Sequence, residues 1–119
     1  MPNWQPNWND VRWDWGAAQQ ASHALRRMAD ILEHTAHERE QWARKATRMW
    51  RGRFRVEFDY QLDRMISGAR ELAAQCRELA ARIDAASQWA REEQQRRIAA
   101  RERWRRELEE EQRASRTSK

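Results

Sequence analysis

Few residues in this chain have the types and spacing that chemistry needs. His34 and His37 stand three apart in His34-Thr35-Ala36-His37-Glu38, a spacing that on a helix can hold a metal ion. No third ligand lies nearby in sequence, so the pair reads as surface histidines on the outer side of a helix. Cys76 is the only cysteine, which excludes an intramolecular disulfide and a cysteine-rich metal site. It falls in an apolar stripe, where a buried small side chain is expected rather than a reactive thiol. The lone Tyr60 has no evident acid–base partner. There is no glycine-rich phosphate loop and no Ser/His/Asp set that so simple a chain would organise. The expectation is a non-enzymatic protein without metal or cofactor.

Charge is the other candidate for chemistry. The 119 residues carry a net charge of +5, with 36% charged and 39% hydrophobic residues. Arg44, Lys45, Arg48, Arg51, Arg53 and Arg55 occur with no acid among them from Gln41 to Val56. Such a basic cluster suits an acidic protein surface or a phosphate, against the plainer reading of a solvated tip. Elsewhere the arginines alternate with glutamates. Glu92/Arg96, Glu93/Arg97, Glu102/Arg106 and Glu109/Arg113 all place the acid four residues before the base, the favourable order on a solvated helix.

The elements that position these residues are helices. Both prolines lie in the first six residues, and between residues 17 and 113 the only glycines are Gly52 and Gly68. Ala18, Ala21, Leu25, Met28, Leu32, Thr35, Arg39, Trp42, Ala46 and Met49 are spaced alternately by three and four. The same spacing resumes as Phe58, Leu62, Met65, Ala69, Leu72, Cys76, Leu79, Ile83, Ala86 and Ala90. Between the stripes, Gly52 is suited to left-handed backbone angles at the end of the first helix. The fold class is therefore all-α. We expect an antiparallel helix-turn-helix hairpin with a long second helix, in a register that pairs Met49 with Phe58. In that register Gly68 makes room for Trp42 or Arg39.

Small residues flank each stripe: Ala29, Ala36 and Ala43 on the first helix, and Ile66, Ala73 and Ala80 on the second. Faces this wide exceed what two helices cover, so these flanks are the expected partner-binding surface, and dimerisation into a four-helix bundle is the expected outcome. Three regions follow: a Trp-rich segment over 1–15, the hairpin over 16–93, and a charged helical extension with a short tail over 94–119. Trp4, Trp8, Trp13 and Trp15 need cover, and the extension offers Ile98, Trp104 and Leu108. The segment should fold back so that Trp13 and Trp15 approach residues 92 to 98 and Trp4 and Trp8 reach Trp104. Arg97, Arg101 and Arg105 would stack on the indoles, and Asn9 or Asp10 would cap a short helical start. The chain's start has neither a basic region nor an apolar run and does not read as a Sec-type signal. No stretch is long and apolar enough to predict a membrane span.

A hairpin with Trp50-Arg51-Gly52 at its bend and Phe58 beyond it resembles the WXG (ESAT-like) family of small type VII secretion proteins, over residues 17 to 93. The resemblance implies pairing with itself or with a paralogous hairpin. It also implies export by a Sec-independent complex driven by an FtsK/SpoIIIE-type ATPase, from the cytoplasm to the exterior or the cell surface. Trp50 and Gly52 would be the turn and secretion motif. Many members carry a Tyr-x-x-x-Asp/Glu export motif after the second helix. The matching slot here reads Trp89-Ala90-Arg91-Glu92-Glu93, with Trp89 for the tyrosine and Glu93 as the acid. The departure removes the phenol hydroxyl.

The leading expectation is thus a secretion substrate that acts by dimerisation and recognition. The alternative is an intracellular adaptor or targeting partner for a larger secreted effector. A nucleic-acid-binding coiled coil ranks third, because DNA-reading helices present basic blocks with few acids. Duplex DNA at about 150 mM salt should therefore bind no tighter than the non-specific range of about 10⁻⁴–10⁻⁶ M, with a steep salt dependence. A fluorescence-anisotropy titration checks this, and sub-micromolar site-specific binding would contradict it.

Overall fold

The computed structural model describes residues 1–118; Lys119, the last residue of the expected tail, lies outside them. Two helices form, α1 (Trp15–Ala46) and α2 (Arg53–Thr117), with no strand among the described residues. Their length follows from the absence of proline and from runs of Ala, Glu, Gln, Arg and Leu, the strongest helix formers. By contacts the chain divides into Gly16–Asp84 and a second unit joining Met1–Trp15 to the chain from Ala85 onward. α2 runs through both.

In the Gly16–Asp84 unit, α1 and the first half of α2 form the expected antiparallel hairpin. Its register is marked by ion pairs. Arg26 reaches Asp84 at 2.7 Å, Arg77 reaches Asp30 at 2.9 Å as well as Glu33, Arg70 reaches Glu40 at 3.6 Å, and Arg44 reaches Asp63 at 3.2 Å. As the α1 number rises the α2 number falls, and each pair stays close to the offset set by Met49 and Phe58. Met49 itself is 82% exposed and does not pair, because α1 stops at Ala46. Trp50 takes its place, edge-on to Phe58 with ring centroids 5.6 Å apart.

The inner face differs from the expected one. Ala29, Ala36, Ile66, Ala73 and Ala80 are buried within the chain, and Ala43 is partly buried. Ala29, Ala73 and Cys76 form the core cluster, flanked by Leu25 and Leu32. The small-residue flanks are thus the seam between α1 and α2, not a surface held open for a partner. Small side chains let the helix backbones approach closely, and that closeness pushes larger stripe residues to one side. Met28, Trp42, Met65, Leu72 and Leu79 remain between 46% and 72% exposed. Gly68 does not relieve crowding either: a Cβ built there meets nothing within 4 Å. Trp42 points out to solvent, so nothing presses on that glycine.

The second unit is built by the N-terminal segment lying along α2. An irregular segment has no ladder for its backbone polar groups, so they need side-chain partners. Arg101 donates to the carbonyls of Asn7 at 2.9 Å and Asn9 at 2.8 Å, and Arg97 donates to Asn9 at 3.1 Å. The Gln94 side chain accepts the Val11 N–H at 2.8 Å and donates to Asp10 at 2.9 Å. The indoles are held individually. Trp4 donates to Glu107 at 2.6 Å, and Trp104 donates to the Trp4 carbonyl at 2.9 Å. Trp8 stands edge-on to Trp104 at 5.5 Å.

Folding back and the approach of Trp4 and Trp8 to Trp104 were legible in the sequence, but the details differ. Trp13 and Trp15 both donate to Ser87, at 2.9 and 3.0 Å, rather than reaching residues 92 to 98. Arg105 lies over Trp8 at 5.8 Å, as expected, but the guanidinium over Trp4 is Arg103, at 4.6 Å. Arg97 and Arg101 serve carbonyls instead of rings. Asp10 does not cap a helix, since its carboxylate is spent on Gln94 and Arg101.

A lone exposed helix of this composition is marginal in water, so the arm should hold the distal part of α2 in place. Deleting residues 1–14 is expected to speed amide exchange and proteolysis beyond Ala85 by about tenfold or more, as several bonds of about 1 kcal/mol each are lost. Hydrogen-exchange mass spectrometry reads this directly. Unchanged protection would show that the arm is not structural.

Candidate functional site

The bend spans residues 47–52 between the helices. Thr47 ends α1 by turning its hydroxyl onto the Ala43 carbonyl at 2.8 Å, and the chain tightens through Trp50 N–H to Thr47 O at 2.9 Å. Last-turn carbonyls of a helix need donors from elsewhere. Arg55 reaches back to the Thr47 carbonyl while also pairing with Asp59 at 3.0 Å. Arg51 donates to the carbonyls of Arg48 at 3.0 Å and Trp50 at 2.8 Å. Gly52 adopts φ +87° at the entry of α2, where its carbonyl accepts the Val56 N–H at 3.3 Å. Its left-handed angle therefore serves the start of α2 and not the end of α1. The Arg51 and Arg55 side chains supply donors to the carbonyls of the bend itself, while the Ala43 and Lys45 carbonyls of α1 accept the Thr47 and Arg48 N–H groups.

This divides the basic tip in two. Arg44 is held by Glu40 and Asp63, and Arg51 and Arg55 close the bend. Lys45 lies 6.0 Å from the Trp42 ring centroid, and Arg48 and Arg53 have no ion pair among the described residues. Around these cations Met49, Phe54 and Val56 are 70–84% exposed.

Along the hairpin the two sides differ. One carries the crossing ion pairs. Their carboxylates lie below the usual range: Glu33 through hydrogen bonds from Arg77, and Asp84 through Ser22 first and then Arg26. Arg77 is correspondingly raised by Glu33 and Asp30. Because the carboxylate values are depressed in the fold, this contribution is present above the ordinary carboxylate range and fades as pH falls through it. The other side is apolar. Shallow clefts there are lined by Leu32, Thr35, Arg39, Ala43, Phe58, Met65 and Ala69, one of them about 280 Å³.

Of the remaining candidates, Trp89 is 59% exposed and lines a cleft of about 590 Å³ with Asp10, Arg12 and Arg97. Glu93 is bound by Arg96 at 2.9 Å and Arg97 at 3.2 Å, which lower its carboxyl below the ordinary value. Arg96 thus turns to Glu93 rather than Glu92. His34 contacts Glu38 at 3.1 Å, and His37 is exposed. Sequence reasoning missed Arg26, Arg70 and Arg77 as cross-hairpin partners. The signal was present: Asp30, Glu33 and Glu40 share one flank of α1 opposite Arg70 and Arg77 in the register, and Arg26 on α1 stands opposite Asp84.

Comparison with protein-family models, with curated proteins and with solved structures returns no match for this chain.

Two glycine substitutions separate backbone angle from space. Gly52→Val should destabilise the fold by about 1–3 kcal/mol, since a β-branched residue is strained at positive φ even in open space. Gly68→Ala should stabilise it by roughly 0.5–1 kcal/mol, having room and ordinary helical angles. Urea denaturation midpoints moving down and up, respectively, are the expected readout.

Proposed function

We propose that this chain is a non-enzymatic interaction protein that pairs with a second hairpin of its own kind and is handled by a type VII-like secretion route. The observation that carries the reading is the one-sided hairpin. Its seam is filled by alanines together with Leu62, Ile66 and Cys76, its ion-paired side is closed, and Met28, Leu32, Trp42, Met65, Leu72 and Leu79 are left wholly or partly uncovered on the other. Monomeric proteins rarely leave so continuous an apolar patch in water. Laying two such faces together makes a four-helix bundle with the large side chains inside, and fully burying one Leu or Met stabilises by about 1.5–3 kcal/mol.

The secretion part rests on the resemblance of Trp50-Arg51-Gly52 to the WXG signature. It is supported by the position of these residues at the bend, with Trp50 against Phe58 and Gly52 at positive φ. A second reading, an adaptor that escorts a larger effector without itself leaving the cell, is favoured by the Trp89/Glu93 slot. That slot lacks the tyrosine hydroxyl, and its acid is engaged by Arg96 and Arg97. Appearance of the chain in culture supernatant, dependent on an FtsK/SpoIIIE-type ATPase, distinguishes substrate from adaptor.

Pairing is tested by light scattering. The parent should run at twice its chain mass. Leu72→Glu should run as a folded monomer with unchanged helicity, because Leu72 is half exposed in the hairpin. Ala73→Glu, which forces a charge into the seam, should unfold it. A monomeric parent, or a dimeric Leu72→Glu, contradicts the proposal.

A further inference from the structure

The tip of the hairpin carries a combination of side chains that neither the bend nor the pairing face uses. We propose that it docks on an anionic lipid surface. Met49, Phe54 and Val56 are 82%, 84% and 70% exposed. Nothing in the fold explains why large apolar side chains should crowd a six-residue connection and the first turn that follows it. Lys45, Arg48 and Arg53 stand among them without ion pairs among the described residues. Of the surrounding acids, Glu40 and Asp63 are paired with Arg44 and Asp59 with Arg55, while Glu57, bonded by the neutral Gln61 amide, keeps one negative charge against these three cations. The free charge of the tip is therefore positive.

Interfacial segments combine these two kinds of side chain. Apolar and aromatic groups enter the boundary between headgroups and acyl chains, to a depth of about 5–10 Å, while long basic side chains extend back to the phosphates. A Lys or Arg near an anionic leaflet adds attraction that falls off within a Debye length. A nucleic acid or an acidic peptide would satisfy Lys45, Arg48 and Arg53 but leave Met49, Phe54 and Val56 in water. The clefts that could receive a peptide are lined by Leu32, Arg39, Phe58 and Met65, along the hairpin. Among the described residues no helix is long and apolar enough to cross a membrane, so the proposed contact is with the surface. The inference does not rest on pairing or export, since it uses neither the apolar face nor the Trp89 cleft.

The test is flotation of the full chain with vesicles of phosphatidylcholine, alone or mixed with phosphatidylglycerol, at low and high salt. Binding is expected to the mixed vesicles, weakened by salt. Two variants probe the two halves of the patch, and both change only exposed side chains, so helicity by circular dichroism should match the parent. Met49→Ser with Phe54→Ser, and separately Lys45→Gln with Arg48→Gln and Arg53→Gln, should each lower partitioning by about tenfold or more. Equal partitioning of the parent to both vesicle types would overturn the proposal. So would retained binding by the serine variant, which would mark a purely ionic site for an acidic macromolecule.

Discussion

A seam of small side chains sets the terms for the rest of the molecule. Ala29, Ala73 and Ala80 are fully buried between α1 and α2, and Ala36 nearly so. Helices that approach this closely admit Leu62, Ile66 and Cys76 beside the alanines but leave Met28, Trp42, Met65, Leu72 and Leu79 no space between them. Those residues are displaced to one side of the hairpin, while Asp30, Glu33 and Glu40 fall on the other, opposite Arg70 and Arg77. The energetic consequence is a thin hairpin. Alanines bring about 0.8 kcal/mol per buried methyl-sized group, and exposed ion pairs bring about 0–1 kcal/mol each. The larger apolar reserve lies outside, where only another helical surface can use it.

Arginine plays a second role that accounts for much of its abundance. Wherever the chain leaves the helix, its carbonyls lose their helical partners, and guanidinium groups of the bend and of α2 supply donors. At the bend, Arg51 and Arg55 serve the carbonyls of Thr47, Arg48 and Trp50. Along the arm, Arg97 and Arg101 serve those of Asn7 and Asn9. A guanidinium suits this work because its several N–H groups can bind a carbonyl and a carboxylate together, as Arg55 does with Thr47 and Asp59. Half of the basic tip is therefore structural, and the cations left over are those with something further to do.

Periodicity carried the fold into view: two helices, the bend, the antiparallel register and the folded-back arm follow from spacing, glycine placement and the need to cover tryptophan. What it could not assign was which side of each helix faces inward. Stripe and flank lie about 100° apart or less on a helix, and apolar size alone favours the stripe. The deciding information is the closeness of the two backbones, a tertiary property. The end of α1 was misplaced for a local reason: Met49 continues the heptad, but Thr47 can back-bond Ala43, and that bond begins the turn. Gly52 was correctly singled out for its backbone angle yet assigned to the wrong helix, because α1 already ends at Ala46 and Gly52 directly precedes α2. The site was less legible still, since exposure of the stripe follows only once the seam is known.

Burial of the stripe in a paired state is the account's central claim, and methionine oxidation footprinting tests it most directly. Met28 and Met65 lie on the proposed pairing face, and Met49 lies at the tip; all three are exposed in the single chain. With limiting peroxide and mass-spectrometric readout, Met28 and Met65 should oxidise several-fold more slowly than Met49 at high protein concentration, and should lose that protection on dilution. Equal oxidation of all three at every concentration would contradict the account.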